Sequence, residues 1–395
     1  MSAWEQGIQS IYTFIRRTAE KTDSGICWET IDYENRPQRN YNLFNGVGGI
    51  PFFLCDYFRY SGDQEALSLA KGAIEWCKSE SVSPPSENEM NYMRGLHTGK
   101  VGIAYVQLFY DSLLDRQPSS YCHELANHVL KEPPGPITDL TGGEASNGFY
   151  LLKLYQKTAD PKYLEGAKRC ADWISSTFIQ EGERLFCKMI PGEPKQDGRY
   201  SLGVSHGMSG VSYFFGFLYQ ETKEERYKEI AKQLIDTVIG QAIESKGGLN
   251  WPVVAGAKEL PRCQYSHGAV GIGMVLTRLS ELLDRTELSE IALKAGEASY
   301  QYGDFRNNLT ICTGVSGSGH LMLDLYCQTQ DPLWLERAKD FAAIAASYKE
   351  ETKAGDAWPT DEPGLYSADY LYGASGVGHF FLRIADPTRF NMPLF

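Results

Sequence analysis

Gly203-Val204-Ser205-His206-Gly207-Met208-Ser209-Gly210 runs without a break into Val211-Ser212-Tyr213-Phe214-Phe215-Gly216-Phe217-Leu218-Tyr219. Small residues make a tight turn, and the turn delivers one histidine to the mouth of an apolar helix. The design recurs. A Gly-x-x-Gly turn begins at Gly46, Gly99, Gly207, Gly268, Gly314 and Gly373, and a degenerate copy at Gly143 has Ser146 in place of its last glycine. Successive turns lie 53, 44, 64, 61, 46 and 59 residues apart, enough for two helices and their loops.

Each turn is followed by an apolar, aromatic segment: Pro51-Phe52-Phe53-Leu54, Ile103-Ala104-Tyr105-Val106, Phe149-Tyr150-Leu151-Leu152, Met274-Val275-Leu276, Leu321-Met322-Leu323 and Phe380-Phe381-Leu382. With so little polar surface, these segments read as inner helices. Between them lie amphipathic stretches: Trp4–Thr18, Gln64–Lys78, Tyr121–Lys131, Pro161–Ser176, Glu225–Ile239, Leu288–Tyr302 and Leu333–Tyr348. Asp160-Pro161 and Asp331-Pro332 suit helix starts, the aspartate capping and the proline tolerated in the first turn. Lys131–Pro136 and Phe186–Tyr200, rich in proline and glycine, read as loops, the second as an exposed arm. Tyr302-Gly303-Asp304 and Asp361-Glu362-Pro363-Gly364 read as further turns at the glycine end.

Seven outer–inner pairs predict an all-α fold, an α/α toroid in one domain over residues 1–395, with the glycine turns gathered at one end. An open solenoid would need polar terminal repeats, and the first and last apolar segments are as apolar as the rest.

Among 395 residues, 38 Lys and Arg stand against 50 Asp and Glu, a net charge of -12, which argues against nucleic acid or an anionic membrane as partner. No apolar run reaches membrane-spanning length, so membrane insertion is not expected. The start, Met1-Ser2-Ala3-Trp4-Glu5-Gln6, lacks the basic head and apolar run of a signal peptide. Nine scattered cysteines without a C-x-x-C pair predict a reduced, cytoplasmic protein.

The turn series, above all Ser205-His206-Gly207-Met208-Ser209-Gly210 and Ser266-His267-Gly268-Ala269-Val270-Gly271, resembles the LanC-like family of lanthionine synthetase cyclases over nearly the whole chain. The ending, Arg383-Ile384-Ala385-Asp386-Pro387 and Asn391-Met392-Pro393-Leu394-Phe395, resembles the family's C-terminus. The resemblance implies a toroid with a zinc site at the glycine end. There, zinc activates a peptide cysteine for addition to dehydroalanine or dehydrobutyrine, closing a thioether ring. It also implies a modified precursor peptide as substrate and a dehydratase or other biosynthetic enzyme as partner.

Carried over position by position, the resemblance makes His206, Asp139 and Arg262 the catalytic candidates. Tyr265 stands where the family has an aromatic. Tyr265, His267 and His97 are candidate substrate contacts. The zinc positions depart from the pattern: Ser266 replaces the first cysteine, Cys312 matches the second, and Thr313 replaces the neighbouring histidine. Hydroxyls are poor substitutes in a site that needs three protein ligands. No cofactor is therefore expected. The one metal alternative is a shifted set of Cys263, His267 and Cys312.

Thioether formation can proceed without metal, because a thiol is a few per cent ionised near neutral pH. The leading expectation is a zinc-independent cyclase in which His206 moves the proton, Arg262 stabilises negative charge and Asp139 orients His206 or positions the substrate. Two alternatives stand beside it: a non-catalytic peptide-binding scaffold, and different chemistry with Cys312 as nucleophile and His206 as base. The structural alternatives are that His206 caps its own turn, that Asp139 caps the helix after it, and that His97 bonds only to local backbone.

Overall fold

Fourteen α-helices alternate in character along the described residues of the computed structural model, which are 2–32, 34–80, 94–194, 198–303 and 308–393. They are α1 (Ala3–Thr18), α2 (Ile50–Ser61), α3 (Gln64–Glu80), α4 (Lys100–Leu113), α5 (Ser120–Lys131), α6 (Glu144–Thr158) and α7 (Pro161–Ser176). There follow α8 (Met208–Thr222), α9 (Glu225–Ile239), α10 (Ala269–Leu282), α11 (Glu287–Tyr302), α12 (Val315–Thr329), α13 (Pro332–Ser347) and α14 (Ala374–Ala385). Even-numbered helices are buried along most of their length, as α8 is from Met208 to Leu218, whereas odd-numbered ones bury one face. The alternation predicted from the apolar and amphipathic stretches is therefore present.

Local chemistry sets the boundaries. Asp160 and Asp331 accept from the amides of Lys162 and Leu333, capping α7 and α13 ahead of their prolines. Buried helices α6, α8 and α12 end on a left-handed residue, Ala159, Lys223 or Gln330, that closes the last turn. The chain then reverses into the next amphipathic helix.

The helices divide into two compact units. In one (residues 1–84, 109–115 and 303–395), α14 packs against α1 and α2, so the last repeat meets the first, and α12 packs against α13 and α14. In the other (residues 85–108 and 116–302), α6, α8 and α10 pack in succession, each backed by the helix that follows it.

Among the described residues ten short strands, β1 (Glu20–Thr22), β2 (Gly25–Cys27), β3 (Thr30–Ile31), β4 (Pro37–Gln38), β5 (Ile179–Glu181), β6 (Arg184–Phe186), β7 (Ile243–Ser245), β8 (Gly248–Asn250), β9 (Glu350–Thr352) and β10 (Gly355–Ala357), form five antiparallel hairpins. Four follow α1, α7, α9 and α13. After three of them a tryptophan folds back to donate its indole N–H to the end of the preceding helix. The pairs are Trp28 to the Ile15 carbonyl at 2.7 Å, Trp251 to Val238 at 2.9 Å and Trp358 to Ala345 at 2.9 Å. These hairpins and their tryptophans are additions to the predicted fold.

The Phe186–Tyr200 stretch is not an exposed arm throughout. Phe186 closes a hairpin, and both it and Cys187 are buried. Thr138 donates its amide to the Met189 carbonyl at 3.0 Å and its hydroxyl to that of Lys188 at 2.7 Å. Residues 195–197 of that stretch, Asp304 of the predicted rim turn and the terminal Leu394-Phe395 lie outside the described residues. No helix among the described residues is long and apolar enough to cross a membrane.

Candidate active site at the glycine turns

In the unit built around α6, α8 and α10, the glycine turns lie one on another. The His97 amide donates to the Thr141 carbonyl at 2.9 Å, and the Thr141 hydroxyl donates to the Ser205 carbonyl at 2.8 Å. Two glycines make the approach possible. A Cβ on Gly95, whose φ is +111°, would sit 2.4 Å from the Gly142 Cα, and one on Gly203 would sit 2.3 Å from the Ser266 carbonyl oxygen.

The stacking brings Asp139 and His206 together across 67 residues of sequence. Asp139 Oδ1 accepts the amides of Thr141 (3.0 Å) and Gly142 (2.8 Å), and His206 Nδ1 donates to Oδ2 at 2.7 Å. One carboxylate oxygen therefore builds the turn ahead of α6 and the other holds the imidazole. His206 does not cap its own turn: Gly207 occupies that position and no side chain bonds there. The pair is asymmetric in exposure, 42% for the His206 side chain and 2% for Asp139. Burial opposes protonation of His206, but the hydrogen bond and charge of Asp139 outweigh it and raise the imidazole above its ordinary value.

Its neighbours are held the other way. Burial, then the charge of His206, pushes His97 down to about 4. Burial, then His206 and Arg262, pushes His267 down to about 4, its ring centroid 6.4 Å from that of His206. The site therefore holds one protonatable imidazole between two neutral ones. Arg262 is exposed at the edge and Tyr265 is buried at 2% exposure. His97 is 3% exposed, and neither ring nitrogen makes a hydrogen bond, although the Leu140 and Thr141 backbone lies close by.

At the positions expected to bind zinc, Ser266 and Thr313 carry hydroxyls, and Thr313 is committed otherwise. Ser266 is buried and offers a hydroxyl. In the other unit, the Thr313 hydroxyl donates to Asp361 (2.9 Å to Oδ2) and accepts from Asn308 Nδ2 at 2.6 Å, with Thr310 Oγ1 3.0 Å away. Burial raises Asp361, and the surrounding hydroxyl and amide partners offset part of that rise. An alcohol already engaged as donor and acceptor is a poor zinc ligand, and Cys312 alone keeps a soft donor. This donor set does not fit the metal. Among the described residues no three His, Cys, Asp or Glu side chains gather as a metal site, the shifted Cys263, His267 and Cys312 set included. Cys263 and Cys312 are 6% and 2% exposed.

Sequence reasoning did not find the second oxygen of Asp139 as a turn builder or the Asp361 network behind Thr313. In the sequence Asp361 belongs only to a turn, and its partners lie about fifty residues away.

Known proteins share the fold and the family. A solved structure of nisin cyclase superposes with a TM-score of 0.67 at 18% identity, covering 98% of this chain and 95% of that one, and shows the fold class to be the α/α toroid. Zebrafish (Danio rerio) glutathione S-transferase LANCL1 is 26% identical over 374 residues, 92% of this chain and 86% of that protein. The lacticin 481/lactococcin biosynthesis protein LcnDR2 of Lactococcus lactis subsp. lactis is 21% identical over 330 residues, 78% of this chain but only 32% of that protein. A family model described as lanthionine synthetase C-like protein matches residues 37–395. The chain belongs to the lanthionine synthetase C-like family.

Proposed function

We propose that the protein adds a cysteine thiol to a dehydroalanine or dehydrobutyrine of a modified precursor peptide, closing a thioether, and that it does so without zinc. The observation that carries this reading is the His206–Asp139 pair, a half-exposed imidazole whose affinity for a proton is raised by a buried carboxylate. The substrate thiolate forms a carbon–sulfur bond at the β-carbon. The alkene electrons move onto the acyl group as an enolate, and His206 gives its proton to the α-carbon. The proton lost by the thiol restores His206, so the step is balanced without oxidant or metal. Arg262, exposed beside His267, favours the thiolate. A dehydratase would supply the unsaturated residue. The likeness to nisin cyclase and to LcnDR2 supports a peptide substrate.

The zebrafish relative, named a glutathione S-transferase, favours a second reading in which the thiol is glutathione. The bond formed and the proton delivered are the same, so one experiment separates the two. Metal-free protein is incubated with a dehydrated, cysteine-containing peptide, with and without glutathione, and the products are alkylated and weighed. Cyclisation removes alkylatable thiols at constant mass, whereas conjugation adds one glutathione. His206→Ala is expected to lower the rate at least about 10²-fold. Unchanged thiols together with no adduct would leave a peptide-binding scaffold as the better account.

A further inference from the structure

A buried polar atom without a partner destabilises the fold that holds it. Such atoms are few in a native protein, and each calls for an account. In the unit that carries His206 several of them gather on the turns flanking the Asp139–His206 pair. They are both ring nitrogens of His97 and the hydroxyl of Thr98 on one side, and Gln264 Oε1 and His267 Nδ1 on the other. His97 stands out, being 97% buried with neither ring nitrogen in a hydrogen bond, although the Leu140 and Thr141 backbone lies close by. The cause is local. Gly95 brings the His97 turn against Gly142, and the His97 amide is tied to Thr141, two residues beyond Asp139. The backbone of the turn is satisfied while the side chain is not.

A neutral imidazole always carries one N–H. His97 is kept neutral by burial and lies near enough to His206 and Asp139 to feel both charges. Uncharged, it does not compete with His206 for Asp139, yet it can donate to an oxygen on which negative charge develops.

We propose that His97 is the hydrogen-bond donor for the acyl oxygen of the electrophile, the atom that becomes the enolate oxygen as the carbon–sulfur bond forms. The assignment rests on the proposed thiol addition and divides the labour: His206 protonates the α-carbon and His97 holds the oxygen. No atom or proton is transferred to His97. It would act by strengthening one hydrogen bond between ground state and transition state.

The test compares wild-type protein with His97→Ala and His97→Gln, using a dehydrated peptide and either thiol source. Loss of one such donor is expected to lower kcat about 10²-fold, with KM changed less than about threefold. The pH at which the rate falls should not move, because His206, Asp139, His267 and Arg262 all remain. Added imidazole should restore part of the His97→Ala rate. Exchange of the product's α-proton with D2O, the reverse of the same step, should slow in parallel. For the unmutated protein, the ¹⁵N resonance of His97 should shift when a thiol-free dehydroalanine peptide is added.

Full activity in both variants, an unmoved His97 resonance, or a loss expressed only as a shifted pH profile would overturn the assignment. The last outcome would make His97 a positioning residue acting through His206. Wild-type protein inactive with both thiols would bring down the underlying reaction as well, and that silence is distinguishable from a defect confined to the His97 variants.

Discussion

Asp139 does two things with one carboxylate, and a single substitution separates them. Asp139→Asn keeps an oxygen for the Thr141 and Gly142 amides but removes the charge that holds His206. Burial alone then acts on the imidazole and lowers it. In the proposed reaction His206 is the acid, so the wild-type rate is expected to fall as pH rises through its raised value. In Asp139→Asn the fall moves to lower pH and the plateau drops, which a pH–rate profile measures directly. The stability effect has the same sign. The pair stabilises fully below the ordinary histidine value of 6.5, and the gain is lost as pH rises through the raised one. With 42% of the His206 side chain exposed, screening leaves that gain at about 1 kcal/mol or less. Catalysis should therefore respond far more than melting does. The individual residues of the site are legible through the family resemblance carried by their turns. Their partnership is legible only as one of two roles for Asp139, because a bond across 67 residues exists only once the turns stack.

At the level of elements, caps and periodicity place the helices closely. Pro161–Ser176 and Glu225–Ile239 fall on α7 and α9 as read, because proline, aspartate and apolar spacing act within one turn of chain. The hairpins escaped because most strands have three residues, too few for alternation to register. One signal was present: Lys246-Gly247, both at positive φ (52° and 79°), is a two-residue hairpin turn whose glycine suits the left-handed region. The tryptophans behind the hairpins were a further repeat marker, each 13 residues beyond the carbonyl it caps. They join an outer helix to its hairpin. Trp251→Phe, which keeps most of the ring and deletes the N–H, leaves the Val238 carbonyl without that donor. It should cost about 1–3 kcal/mol. Thermal or denaturant unfolding reads this, and a Tm equal to wild type would show that the bond contributes nothing.

For the molecule as a whole, the sevenfold glycine pattern carries the fold and says little about the chemistry. A turn glycine answers to the backbone that approaches it, and at Gly46, Gly143, Gly207, Gly268, Gly314 and Gly373 that backbone lies 2.5–2.6 Å from where a Cβ would sit. The side chain just before the turn is under no such demand: His206, His267 and Thr313 occupy that position in successive repeats with three different environments. Thr313 shows how far one repeat can depart from the family pattern. Its hydroxyl is the hub of a network with Asn308, Thr310 and Asp361, so the position has a structural task in place of a ligand's. Two consequences can be measured together. Thr313→Val keeps the shape and removes the donor to Asp361, and should cost about 1–2 kcal/mol. The cost should grow as pH rises, because the lost bond favours the ionised carboxylate, which burial already disfavours. Chelation by 1,10-phenanthroline, by contrast, should leave the Tm and the thiol-addition rate of the wild-type protein unchanged. If chelation lowered either and zinc restored it, a metal would be bound through donors other than Ser266 and Thr313, and the acid–base account centred on His206 would have to yield to it.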